Sequence, residues 1–98
     1  GKKIFNAVSC GGGRDAYSPE GYNRFPVGQY LLPFNQTAYL CRMDYLPPFV
    51  VHETYTIEDY TLKACGEQYA ELLEALVNDR IEPEELAGIE YLNELFPH

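Results

Sequence analysis

No nucleotide-binding, metal-binding or catalytic signature can be assembled from neighbouring residues of this chain. It has no G-x-x-x-x-G-K-[ST] and no G-x-G-x-x-G, which excludes the local phosphate cradles those spacings build. It has no C-x₂-C pair. Its three cysteines, Cys10, Cys41 and Cys65, are odd in number and far apart, so neither a disulfide framework nor a local zinc site is encoded. No apolar run approaches the roughly 20 residues of a membrane-spanning helix, and no charged–apolar–small leader opens the sequence. Bases are scarce: seven Lys/Arg stand against fifteen Asp/Glu, for a formal charge of −8. That balance argues against direct binding of nucleic acid or anionic membrane. Free thiols without a framework point to a reducing compartment, and the expected location is the cytoplasm.

What is present suits one folded domain over residues 1–98, with 46 % apolar residues to build its core. Nine tyrosines are many for 98 residues; their rings pack while their hydroxyls seek partners, which favours half-buried faces and interfaces. Charge is unevenly divided. Residues 1–50 carry five bases and three acids, net +2, whereas residues 51–98 carry two bases and twelve acids, net −10.

The period of the apolar pattern changes along the chain. Residues 4–9 read as a short inner strand, apolar on both faces. Cys10, Gly11, Gly12 and Gly13 then open a long connection to about Gly28, packed through Tyr17, Tyr22 and Phe25. Alternation over residues 37–45 predicts a second strand, and residues 49–56 a third. The break at Leu46, Pro47 and Pro48 between them suggests an antiparallel pair joined through a proline turn. After Thr56 the period becomes helical. Leu62, Cys65, Tyr69, Leu72, Leu73, Leu76 and Val77 form one stripe of a first helix, surest over residues 66–79. Pro83 opens a second helix with Leu86, Ile89, Leu92, Leu95 and Phe96 as its core face. The expected fold is therefore α+β: a small antiparallel sheet of about three strands (within residues 1–56) with two acidic C-terminal helices (residues 57–98) packed on one face.

Three constellations compete for function. Gly11, Gly12 and Gly13 invite a ligand loop, with Arg14, Tyr17, Tyr22 and Arg24 beside it as a second surface; the structural alternative is a left-handed or flexible turn. Cys10, Cys41, Cys65 and His52 are scattered, with Cys41 and Cys65 on apolar faces and His52 on a solvated one, so no metal site and no catalytic residue is assigned. The carboxylates form rows: Glu67, Glu71 and Glu74 on the first helix, and Glu90 and Glu94 four apart on the second. Like charges at that spacing cost a few tenths of a kcal/mol per pair, and little basic compensation is offered.

In length, acidity and lack of catalytic motifs the chain is similar to small phage-encoded inhibitors of the anti-CRISPR or anti-restriction type, several of them acidic nucleic-acid mimics. That resemblance implies a non-enzymatic, cofactor-free module in the host cytoplasm. Its acidic row (Glu67, Glu71, Glu74, Glu90, Glu94) would occupy the basic, nucleic-acid-binding groove of a partner protein. The other reading is a small enzyme or ligand-binding protein using the Gly11, Gly12 and Gly13 loop with its Tyr and Arg neighbours.

Overall fold

The computed structural model describes residues 2–97. The chain opens with two short strands, β1 (Lys3–Ile4) and β2 (Ala7–Ser9), followed by a single 3₁₀ turn, Arg14–Tyr17. Two helices come next, α1 (Val27–Tyr30) and α2 (Leu32–Leu40), then strands β3 (Asp44–Tyr45) and β4 (Phe49–Val51). The 19-residue helix α3 (Asp59–Val77), one turn of helix α4 (Pro83–Leu86) and a 3₁₀ turn, Leu92–Leu95, complete it.

All strand pairing is parallel. Lys3 lies opposite Asp44 and Ile4 opposite Tyr45; Ala7, Val8 and Ser9 lie opposite Phe49, Val50 and Val51. The register advances by one between the two ladders. Backbone bonds from Leu46 N–H to Ile4 O and from Phe49 N–H to Asn6 O span two residues on the first strand and three on the second. The extra residue falls at Pro47 and Pro48, which have no N–H to give the ladder, so the prolines sit in a bulge rather than a hairpin turn. This overturns the antiparallel expectation. Strands 44–45 and 49–51 do not pair with each other; both lie along the N-terminal strand, and the connection between them and it is helical, as a parallel crossover requires.

The helical crossover replaces the strand expected over residues 37–45. Alternation there is real, but the buried positions are Val27, Leu31 and Ala38, spaced by four and seven, which is helical. Pro33 lies in the first turn of α2, where a missing N–H costs nothing. Leu40 and Tyr39, read as strand residues, are exposed, and Cys41 is an exposed helix cap rather than a core residue.

Helices cover both faces of the strand pair, giving an α/β arrangement. On one face Phe49 and Leu46 pack with Leu72, Ala75, Ile81 and Leu92. On the other, Val50 packs with Val27, Leu31 and Tyr91. Helix α3 is longer than its sequence pattern suggested and is turned about its axis. Gln68, Leu72 and Ala75 are its buried positions, while Leu62, Leu73 and Val77 of the expected stripe are exposed. The second C-terminal helix is one turn only. Glu82 N–H donates to the Glu85 carboxylate at its start, and Gly88, at φ 87°, ends any continuation.

The C-terminal segment instead closes one edge of the sheet. Leu92 N–H donates to Pro48 O at 2.8 Å. The Asn93 amide takes Val50 N–H at 2.9 Å and gives to Val50 O at 2.8 Å, so one side chain does for β4 what a neighbouring strand would do. Tyr91 and Leu92 enter opposite core clusters, as successive residues of a strand do. Gln68, buried on α3, donates to Asn93 O and Phe96 O and ties the segment down.

Candidate functional site

In open parallel sheets ligands bind beyond the carboxyl ends of the strands. Here those ends are Ser9 and Val51, and the loops leaving them are laced together. Cys10 N–H donates to Val51 O, Glu53 N–H to Gly12 O and Thr54 N–H to Cys10 O, at 2.9–3.1 Å. The Thr54 hydroxyl also donates to Cys10 O, at 3.2 Å.

The glycines are short of space rather than left-handed. None of Gly11, Gly12 and Gly13 has positive φ, which corrects the left-handed-turn expectation. A Cβ at Gly11 would meet the Tyr55 ring at 2.2 Å, at Gly12 the Ala16 methyl at 3.2 Å, and at Gly13 the Glu53 carboxylate at 3.0 Å. Gly21 is the most constrained glycine: its Cβ would lie 2.2 Å and 2.4 Å from the backbone oxygens of Asp15 and Ala16. With their side chains absent, Gly11, Gly12 and Gly13 turn N–H groups that meet no backbone acceptor among the described residues.

Around this loop the structure gathers His52, Tyr17 and Tyr91. The His52 ring centroid lies 6.0 Å from that of Tyr17 and 5.6 Å from that of Tyr91. Its Nε2 is buried without a hydrogen-bond partner. Burial, and secondarily the Arg14 charge, pushes the His52 pKa below its ordinary value of 6.5 against the opposing pull of Glu53 and Glu90. The imidazole is therefore neutral at physiological pH, with an orphaned nitrogen that calls for a ligand or an ordered water. Burial raises the pKa of Tyr17, and the Cys10 thiol beside it adds to the rise. Burial also raises that of Cys10 itself, against a hydrogen bond from Tyr17. Both stay protonated, so Cys10 is no activated nucleophile.

The sequence-predicted residues divide sharply. Arg14 and Tyr17 are at the site. Arg14 pairs with Glu90 at 2.5 Å and lies over the Tyr91 ring at 4.5 Å from its centroid. Tyr22 is 94 % exposed, and Arg24 stacks over Phe25 at 5.1 Å. Glu67, Glu71 and Glu74 are exposed along α3, but Glu74 has a base after all, Arg80 at 3.2 Å. Glu90 and Glu94 do not form a helical row. Glu94 accepts the N–H groups of Glu90 and Tyr91, at 3.0 and 2.9 Å, as a cap of the last 3₁₀ turn. His52 was set aside in sequence and Tyr91 was not singled out. His52, expected to be solvated, becomes legible only once Phe49, Val50 and Val51 are a strand ending at the ligand-side edge. Among the described residues no three His, Cys, Asp or Glu side chains gather in a metal-holding arrangement.

The flavodoxin-like fold family matches residues 1–73. The chain belongs to that family. Its parallel strands, crossover helices and strand-end loop are those of a flavodoxin-like α/β unit, which overturns both the α+β class and the resemblance to phage inhibitors. It is similar to the glutathione-regulated potassium-efflux system ancillary protein KefG of Pectobacterium carotovorum subsp. carotovorum (strain PC1), at 34 % identity over 73 residues. It is also similar to the ancillary protein KefF of the same kind of system in Klebsiella aerogenes, at 37 % over 73 residues. In each case the match covers 74 % of this flavodoxin-like chain and 40 % of the relative, so the chain spans well under half the length of these proteins. A solved structure described as a thermophilic tryptophan halogenase from Streptomycin violaceusniger superposes with TM-score 0.68 at 33 % identity, over 71 % of this chain and 41 % of that one. One fold thus carries differently named activities. None of these relatives is named as a nucleic-acid mimic, and the expected partner, a basic nucleic-acid-binding groove, gives way to the ligand-loop reading. No helix among the described residues is long and apolar enough to cross a membrane.

Proposed function

We propose that the strand-end loops, residues 10–13 and 52–55, hold the ring system of a flavin, and that the chain contributes this site to a redox enzyme. Flavodoxin-like sheets bind FMN beyond the carboxyl ends of their strands. The observation that carries the reading is the group of polar atoms left unbonded there: the N–H groups of Gly11, Gly12 and Gly13, which meet no backbone acceptor among the described residues, and buried His52 Nε2. A flavin ring presents carbonyl oxygens and ring nitrogens on one edge and a flat apolar face, which suit backbone donors and tyrosine rings respectively. The glycine loop holds the polar edge, Tyr17 keeps its proton and offers its ring, and His52, a neutral imidazole, offers its unbonded Nε2. When bound, a flavin supplies hydride and single-electron transfer. The fit is to the ring and not to a phosphate: the loop carries no lysine, and Arg14 is engaged by Glu90.

The relatives' names suggest a setting. An ancillary role toward a potassium-efflux system, from a cytosolic location, belongs to the same proposal, with exposed Glu67 and Glu71 on a protein-contact face. The test of the site is titration of riboflavin, which has no phosphate, with the 98-residue chain while flavin fluorescence is followed. Quenching is expected, with Tyr17→Phe and His52→Gln each weakening binding about tenfold, equivalent to roughly 1.4 kcal/mol. Riboflavin fluorescence unchanged by the folded chain would overturn the assignment.

A further inference from the structure

Arg14 leaves the glycine loop directly after Gly13, and its guanidinium is held from two sides. It lies over the Tyr91 ring, 4.5 Å from the centroid, and its Nη2 donates to Glu90 Oε1 at 2.5 Å. The two holds differ in kind. Tyr91 is buried, at 3 % exposure, in the cluster with Val27, Leu31 and Val50, so its ring is a fixed platform for a cation. The Glu90 side chain is close to half exposed. The backbone at Glu90 is placed independently of that side chain, because Glu94 accepts the N–H groups of both Glu90 and Tyr91. What the Glu90 side chain adds to the site is a negative charge against Arg14.

That charge decides what the loop can attract. A guanidinium beside unbonded backbone N–H groups is an anion-binding combination. Gly11, Gly12 and Gly13 supply such groups, which meet no backbone acceptor among the described residues. With Glu90 on Arg14 the cation is neutralised. Carboxylate oxygens of Asp15 and Glu53, each 3.0 Å from where a Gly13 Cβ would stand, then leave the mouth of the loop negative. The pair acts on the site itself: His52 feels both members, Arg14 pushing its pKa down and Glu90 pulling it up. Glu90 also lies outside residues 1–73, which match the family.

We propose that Glu90 is a specificity-determining residue of the strand-end site: by occupying Arg14 it bars anionic groups from the glycine loop and reserves the site for uncharged rings. The proposal deepens the flavin reading and rests on it for the ligand admitted, whereas the exclusion of anions rests on Arg14, Glu90 and the loop alone. Selectivity of this kind comes from an unfavourable interaction with the wrong ligand. Without the Glu90 charge, Arg14 stays on the Tyr91 ring as an uncompensated cation, and the exclusion is lifted.

The test titrates the isotope-labelled 98-residue chain with inorganic phosphate at constant ionic strength, following the amide signals of Gly11, Gly12 and Gly13. Glu90→Gln should bind phosphate roughly fivefold more tightly than the wild-type chain, and Arg14→Gln added to it should abolish the gain. Glu84→Gln, an equal change of charge at an exposed position on α4, should give no gain. The His52 ring signals should titrate at lower pH in Glu90→Gln and at higher pH in Arg14→Gln, which a merely structural contact would not produce. Riboflavin, which carries no phosphate, should bind the wild-type chain and Glu90→Gln alike. Equal phosphate affinity in those two chains, a gain that survives Arg14→Gln, or the same gain in Glu84→Gln would each overturn the proposal. So would a His52 titration that neither variant moves. A phosphate gain in a chain that ignores riboflavin would refute the flavin reading and leave the exclusion of anions standing.

Discussion

His52 shows how one side chain joins the strand to the site. It follows Phe49, Val50 and Val51 directly, so its ring is carried to the ligand-side end of β4 and held between Tyr17 and Tyr91. The same burial that leaves Nε2 without a partner lowers its pKa, with Arg14 assisting. An unfolded chain would bind a proton at His52 near pH 6.5, where the folded chain does not. Stability contributed by the neutral ring is therefore complete above about pH 6.5 and is lost as pH falls toward the folded value. Thermal melts between pH 7.5 and 5.5 should show a steeper loss for the wild-type chain than for His52→Asn. Superimposable pH profiles would show that His52 is not the group responsible. Nothing in sequence separated this histidine from an exposed one, because its burial depends on Tyr91, distant in the chain.

At the scale of elements, both longer helices end the same way. After α2, Arg42 N–H bonds Tyr39 O and Met43 N–H bonds Ala38 O; after α3, Asp79 N–H bonds Leu76 O and Arg80 N–H bonds Ala75 O. These are Schellman closures, in which the residue after the cap is left-handed and usually glycine. Here the positions are held by Arg42 at φ 60° and Asp79 at φ 53°. Glycine relieves the Cβ strain there at some entropic cost in the unfolded chain. Arg42→Gly and Asp79→Gly should each stabilise by about 0.5–1 kcal/mol, read as a raised denaturation midpoint at constant m-value. A fall in midpoint for either would show that its side chain contributes more than its strain. The end of α3 was legible in the sequence to within two residues. The end of α2 was not, because residues 37–45 alternate like a strand and only the spacing of Val27, Leu31 and Ala38 reveals the helix.

For the whole molecule, the C-terminal twenty residues matter more than their weak helix pattern suggests. Residues 78–97 bring Ile81, Tyr91 and Leu92 into two core clusters and Asn93 onto the edge of β4. They lie outside the family match, which ends at residue 73. Deleting them should expose Val50 N–H and O and strip both clusters, at a cost well above a single core truncation of about 2–5 kcal/mol. The expected result is loss of the cooperative melting transition, followed by circular dichroism. A truncated chain that still melts cooperatively would show that the strand pair and α3 suffice without this segment.

Local chemistry alone determined several things about this protein. Strand character near the N-terminus, the glycine-opened loop after it, the apolar strand beginning at Phe49 and a long acidic helix before Arg80 were all readable from period and composition, because each depends on neighbours within a few residues; that residues 4–9 are not one inner strand but part of two, Lys3–Ile4 and Ala7–Ser9, largely exposed, was not. That Arg14 and Tyr17 lie close to the glycine loop was readable too. Tertiary structure decided the rest. Whether strands 44–45 and 49–51 run with or against residues 3–9 depends on the path of the whole crossover. Pro47 and Pro48 look alike from sequence whether they make a turn or a bulge. The rotation of α3, which buries Gln68 and exposes Leu73, is set by where Asn93 and Phe96 offer carbonyls. The pair Glu90 and Glu94 looked uncompensated because Arg14, the base that meets Glu90, is 76 residues away in sequence, and no local pattern can express a contact at that separation.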